Sequence, residues 1–308
     1  MENTRAKTTR NSLILLLTAT IWGMAFVSQS KGMDYMPPFT FNGVRSLIGA
    51  AGILVYILIS RKIAGDKAAK LDWKLNVRAG LLCGIFLTIA STLQQFGIKY
   101  TSVGKAGFIT TLYIIFVPMF GIFLKKKVAP VVWAAAGMAA VGMYLLCMTE
   151  SLRLGAGDIM VFLCAIAFAI QIMTVDHYAA RIDGAVVSCI QFTVCGVVCC
   201  IGALIWGQPT FGQIQEGLGA LLYAGVLSCG VGYTLQIVGQ KGLNPTVAAL
   251  IMSLESVIAT ISGWIAYKIG FLSTDQTLTP RQIAGCVIVF AAVILVQLPP
   301  EWFRFGKK

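Results

Sequence analysis

NPTVAALIMSLESVIATISG, residues 244–263, is an almost unbroken apolar run with one carboxylate, Glu255, close to its midpoint. About 20 such residues, wound into an α-helix at about 1.5 Å each, match a hydrocarbon core about 30 Å thick. An ionisable side chain at that depth costs about 2.5–3.5 kcal/mol on insertion scales, so it survives where it faces a water-filled cavity or a fixed partner. The remainder of the chain has to supply that surrounding.

Composition already favours a bilayer as the solvent. Of 308 residues, 57% are hydrophobic and 12% charged, against about 25% charged in an average soluble domain. That leaves too little polar surface to cover a water-soluble core of this size. The formal charge of +12 does not point to nucleic acid, because the lysines and arginines sit between apolar runs and not along one face. Basic residues placed that way set membrane topology. All nine cysteines lie inside apolar runs and read as small hydrophobes. No Cys-x-x-Cys stands near histidines, and His177 is the lone histidine, so neither a metal nor a cofactor is expected.

Apolar windows of about 20 residues recur at 12–30, 39–60, 77–98, 104–124, 130–148, 156–177, 185–206, 217–239, 246–268 and 281–298, ten in all. Arg5, Lys7 and Arg10 ahead of the first run resemble the start of a secretory leader. Many spans follow it, so it reads as an uncleaved first helix. With alternate loops assigned to opposite sides, 17 basic residues fall on one side and 6 on the other, with Arg45 left inside the second span. The richer side holds both ends of the chain. By the positive-inside bias both termini face the cytoplasm, in a multi-pass protein of the inner (plasma) membrane.

The chain also repeats itself. Leu93-Gln94-Gln95-Phe96-Gly97-Ile98-Lys99 returns as Leu235-Gln236-Ile237-Val238-Gly239-Gln240-Lys241, an offset of 142 (235 − 93) that also sets Leu112 on Leu254 and Tyr113 on Glu255. Earlier, Ala19-Thr20-Ile21-Trp22-Gly23 meets Ala165-Ile166-Ala167-Phe168-Ala169 at an offset of 146 (168 − 22), which places Arg45 on Gln191. Pro130 meets Pro280 across a longer loop near 269–280. The expected fold is therefore an all-α membrane protein of ten transmembrane helices, as two five-helix repeats over residues 1–150 and 151–308. An odd number of spans per repeat makes the copies inverted. That arrangement is typical of secondary transporters with a substrate site at the repeat interface near the midplane.

The double five-helix pattern, Trp22-Gly23, TSVGKAGFITTLYIIFVP (101–118) and SLESVIATISGW (253–264) resemble the EamA family of the drug/metabolite transporter superfamily over nearly the whole chain. Ser256 stands where that family commonly has proline after the leucine-glutamate pair. The resemblance implies a central cavity lined by helices from both halves, alternating access, and export of small metabolites or drugs.

Helical spacing sorts the membrane-embedded polar groups into stripes. Thr18, Trp22 and Gln29 share a face of the first span; Thr88, Ser91 and Gln95, with Gln94 beside them, share one of the third. Gln171 and Thr174 lie on the sixth span, Cys229, Tyr233, Gln236 and Gln240 on the eighth, and Glu255, flanked by Ser253 and Ser256, on the ninth. The candidate substrate-binding residues are Trp22, Ser91, Gln94, Gln95, Thr110, Tyr113, Gln171, Tyr233, Gln236, Ser253 and Glu255. The competing reading is that the glutamines and threonines only hydrogen-bond helix to helix. Glu255 is the proton-coupling candidate. It binds a proton exchanged for substrate or pairs with a cationic substrate group; the bland alternative is a static partner, a backbone group or Arg45. Arg45 itself reads as an anchor whose stem snorkels toward the outer surface. Asp176 and His177 read as interfacial. Trp73, Trp133, Trp206, Trp264 and Trp302 fit an aromatic belt, and Pro118 is a candidate hinge.

Such a vestibule suits amino acids, nucleobases or small aromatic cations, carried by a protein that is no enzyme and works as a monomer or homodimer among membrane lipids. A membrane-embedded enzyme acting on lipid or prenyl substrates is the alternative, yet the chain has no D-D-x-x-D and one histidine. A channel-like facilitator is a further alternative. No G-x-x-x-x-G-K-[ST] is present, so a primary pump would need a separate ATPase.

Overall fold

The computed structural model describes residues 2–65, 71–125, 130–147, 155–207, 209–273 and 275–297. Lys67, Lys70, Lys126, Lys127, Arg153, Trp302, Arg304, Lys307 and Lys308 lie outside the described residues, as do the side chain of Arg5 and the expected boundary between repeats near 150.

Among the described residues the regular structure is all helix, joined by turns and short loops, with no β-strand. Helix α1 (Glu2–Gly32) leads through a short turn into α2 (Pro38–Ala64), which opens on a proline that needs no amide partner in the first turn. Asp72 caps α3 (Trp73–Ile98) by accepting from the Leu75 amide at 3.0 Å. Next come α4 (Val103–Thr111), α5 (Tyr113–Phe123) and α6 (Pro130–Cys147). Then α7 (Ala156–Tyr178) precedes α8 (Gly184–Trp206), capped by Asp183. The short α9 (Phe211–Glu216) and α10 (Leu218–Leu222) run into a π-helical segment, Tyr223–Gly232, and on into α11 (Tyr233–Gln240). Asn244 caps α12 (Pro245–Met252), followed by α13 (Glu255–Lys268) and α14 (Pro280–Gln297).

Eight helical stretches are long and apolar enough to cross a membrane: 6–32, 38–64, 73–98, 103–123, 156–178, 184–206, 218–240 and 245–268. The other two expected spans are the shorter apolar helices α6 and α14, each of 18 residues, or about 27 Å. Three expected spans also differ in kind from the regular helices that the apolar windows imply. The fourth breaks at Leu112 into α4 and α5, the ninth breaks at Ser253–Leu254 into α12 and α13, and the eighth passes through the π-helical segment. The break in the fourth lies at Leu112 and not at Pro118, which sits inside α5.

Burial is inverted relative to a water-soluble protein. Ile63, Phe123 and Leu204 are 82%, 81% and 73% exposed, while Gln95, Gln171, Gln191, Ser253 and Ser256 are fully buried. An apolar exterior of this extent is stable only against lipid. Trp73 and Trp206 are exposed at helix ends, and His177 is exposed at the end of α7, as an interfacial position requires.

The helices pair closely: α2 along α8, α3 along α7 and α8, α6 along α14, and α1 along α13 and the α10–π–α11 run. Between α2 and the π-helical segment the approach is backbone on backbone. A Cβ built on Gly49 would stand 2.9 Å from the Gly225 carbonyl, and one built on Gly225 would stand 2.9 Å from the Arg45 carbonyl. Only glycine permits that contact.

Candidate functional site

The two mid-span breaks create the site. At the first, the Leu112 amide bonds back to the Ile109 carbonyl at 3.2 Å and the Ile115 amide to the Leu112 carbonyl at 2.9 Å. At the second, the Leu254 amide reaches the Ile251 carbonyl at 3.3 Å and the Ser256 amide the Ser253 carbonyl at 3.1 Å. Both are single turns of i→i+3 bonding, tighter than an α-helix. Nearby hydroxyls satisfy local carbonyls: Thr111 donates to Phe108 at 2.8 Å, Ser253 to Leu250 at 2.7 Å, and Ser256 to Ser253 at 2.8 Å.

The first residues past the two breaks are Tyr113 and Glu255, the pair that the 142-residue offset superimposes. They touch. The Tyr113 hydroxyl donates to Glu255 Oε1 at 3.0 Å, with the two residues 2% and 3% exposed. The static partner of the carboxylate is thus a phenol from the other half of the chain, not Arg45.

These groups face a cavity of about 30 Å³, room for about two waters. Nine of the expected site residues line it: Trp22, Ser91, Gln94, Thr110, Tyr113, Gln171, Tyr233, Gln236 and Glu255. One wall is aromatic, with the Trp22 and Tyr233 ring centres 4.5 Å apart and Phe192 edge-on to Tyr233 at 5.0 Å. The rest is amide and hydroxyl. Gln94 Nε2 donates to Thr110 Oγ1 at 3.1 Å, and Gln236 Nε2 to Gln171 Oε1 at 3.1 Å. These glutamines therefore bond helix to helix and face the cavity at once. Trp22 Nε1 and Gln29 Oε1, both buried at its edge, have no protein partner among the described residues.

Two expected site residues lie elsewhere. Gln95 is fully buried between α3 and α1, where its Nε2 donates to the Gln29 carbonyl at 3.2 Å, and Ser253 is taken up by its own helix. Thr18, Thr88 and Thr174 likewise bond back to carbonyls four residues earlier, so their hydroxyls serve their own helices.

Arg45 overturns its expectation. It does not snorkel to the surface: it is 5% exposed and lines the cavity, with Nε donating to Asn42 Oδ1 at 2.9 Å and its guanidinium 5.5 Å from the Phe41 ring centre. Asn42 in turn donates to Ser91 Oγ at 3.0 Å and to Cys199 Sγ at 3.2 Å, while Ser46 donates to Cys195 Sγ at 3.5 Å. Cys195 and Cys199 thus join a polar cluster tying α2, α3 and α8, beyond the small-hydrophobe role expected of them. Gln29 and Cys229, which polar spacing set on the stripes of the first and eighth spans but left out of the candidate site, line the cavity as well, and so does Ser228, which polar spacing missed. Ser228 and Cys229 belong to the π-helical segment; the glycines at 225, 230 and 232 are its trace in the sequence.

The family model for the EamA-like transporter family matches the chain twice, at residues 10–148 and 155–298. An uncharacterized transporter of Archaeoglobus fulgidus is 27% identical over 92% of this chain and 84% of its own length. The uncharacterized transporter YwfM of Bacillus subtilis is 24% identical over 94% of both chains. A protein of known crystal structure superposes with a TM-score of 0.74 at 16% identity, covering 96% of this chain and 99% of its own, a likeness of fold. The chain belongs to the EamA-like transporter family, a multi-pass membrane family whose matched members are named as transporters and not as enzymes.

Proposed function

We propose that this protein is a secondary active transporter that exports small amphipathic metabolites or drugs through the central cavity by alternating access, with Glu255 as its proton-binding group. The observation that carries this is the Tyr113–Glu255 hydrogen bond between repeat-equivalent residues at twin helix breaks. Discontinuous helices meeting at mid-membrane are the usual frame of a transporter site.

The inverted ten-helix arrangement is part of the proposal, and the packing supports it. If the halves are copies, α3 against α7 exchanges with the α10–π–α11 run against α1, and α13 against α1 exchanges with α4 and α5 against α7. Each of these contacts is present. The basic bias supports cytoplasmic termini in the inner membrane. A cavity of about 30 Å³ is too small for an amino acid or nucleobase, so loading requires the walls to part. That contraction suits a carrier passing through a closed state better than a channel-like facilitator.

Glu255 is met by Tyr113 from α5 and stands within electrostatic reach of Cys164 on α7 and Tyr233 on α11. Arg45 of α2 lines the same cavity. A proton taken up or released here changes the charge of a small enclosed pocket, and that couples occupancy to pH. In proteoliposomes, Glu255→Gln is expected to leave exchange that no longer responds to a pH gradient, while the wild type responds. Equal pH responses in the two would remove Glu255 from coupling.

A further inference from the structure

Arg45 presents an unbalanced charge. Its guanidinium stays protonated at any physiological pH and offers five N–H donors in a planar fork. Among the described residues no carboxylate lies within ion-pair distance of it, the two ion pairs being Lys31–Asp34 and Lys105–Asp158. Only Nε is engaged, by Asn42; the terminal nitrogens make no hydrogen bond to a described residue. Glu255 is held by Tyr113 and does not reach it. An arginine that is 95% withdrawn from solvent (5% exposed) and lacks a counter-anion is strongly unfavourable unless an anion arrives to complete it.

Its mounting fits that role. Asn42 accepts from Nε and is itself oriented by Ser91 and Cys199, so the fork is aimed by a network reaching α3 and α8. Beside it, Trp22, Tyr233 and Phe192 supply an aromatic wall for an apolar body.

We propose that Arg45 is the seat of a carboxylate on the carried solute, so that the substrate class is small amphipathic carboxylates and excludes simple aromatic cations. This rests on the transport reading above. One guanidinium fork matches the two oxygens of one carboxylate and leaves the pair neutral. A doubly charged phosphate would bring a second, unbalanced charge into the same small pocket. A cation would meet the Arg45 charge across the same small cavity, where Glu255 is already engaged by Tyr113.

The test uses full-length protein in proteoliposomes and three probes that share one body: 3-phenylpropanoate, 3-phenylpropan-1-ol and 3-phenylpropylamine. Thermal shift reads binding and counterflow reads exchange. The wild type is expected to bind and exchange the carboxylate at least about tenfold better than the alcohol or amine, the factor for roughly 1.4 kcal/mol. Arg45→Gln should abolish that preference, and Arg45→Lys, which keeps the charge but loses the fork, should retain part of it. The wild-type panel stands even if a variant fails to fold. Preference for the amine or alcohol, or an unchanged preference in Arg45→Gln, overturns the assignment and leaves the carrier reading intact. Absence of saturable exchange with all three overturns both.

Discussion

A carboxyl buried at mid-membrane has to be held by something, and here the holder is one hydroxyl. Tyr113 donates to Glu255 at 3.0 Å in a pocket where both are almost fully enclosed. Removing one partner leaves the other buried and unpaired, a cost of about 1–3 kcal/mol. A double-mutant cycle on thermal stability with Tyr113→Phe and Glu255→Met should therefore return a coupling of about 1 kcal/mol. Strict additivity would mean that the contact contributes nothing. Glu255 is legible in the sequence because a lone acid in an apolar run is conspicuous, and the 142-residue offset sets it on Tyr113 before any coordinates are known. That the aligned residues touch is not legible, since an alignment of halves says nothing of the distance between them. Arg45 shows a second limit. Depth along a span can be counted, but the way a long side chain turns depends on Asn42 and on the groups that orient Asn42 in turn, Ser91 and Cys199, which lie 49 and 157 positions from it in the chain.

At the scale of elements, hydropathy finds apolar windows but is blind to how the backbone winds inside them. The windows at 104–124, 217–239 and 246–268 look alike, yet they fold as two broken helices and one π-helical run. The breaks leave no proline at Leu112 or Leu254, and the hydroxyl residues beside them, Thr111, Ser253 and Ser256, look in sequence like any other membrane serine or threonine. The π-helical segment left only its glycines. Gly225 is where that segment lies on α2, with a Cβ there 2.8 Å from Ile48 Cγ2 and 2.9 Å from the Arg45 carbonyl. Gly225→Leu should push the segment off α2 and lower stability by about 1–3 kcal/mol, as overpacking does. Gly52→Leu, on α2 where a Cβ meets nothing within 4 Å, is the control and should leave the melting temperature nearly unchanged. If both variants melt together with the wild type, the close approach of α2 and the π-helical segment is not a stabilising contact.

Across the whole molecule, the proposed alternation needs one end of the bundle to open on the central cavity, and one end is visibly fastened. Lys105 at the start of α4 and Asp158 at the start of α7 form an ion pair at 2.6 Å, and Thr101 donates to the same carboxylate at 3.0 Å. Asp158 is 4% exposed there. Beside it α3 and α7 meet through Gly97 and Gly157, each of whose added Cβ would fall within 3 Å of the other's carbonyl oxygen. In the proposed topology this is the outer end, so opening outward requires the Lys105–Asp158 pair to part while the twofold-related contacts of α1 with the α11 end hold. Asp158→Asn removes the charge with almost no change of shape. By weakening the fastening by about 1 kcal/mol it should raise the population open at that end roughly fivefold. The readout is the rate at which a membrane-impermeant maleimide added from outside modifies Cys229, which lines the cavity. A rate that rises from outside and not from inside locates the gate at the Lys105–Asp158 end. A rate unchanged from both sides would mean that this ion pair only braces the fold and that the cavity opens elsewhere.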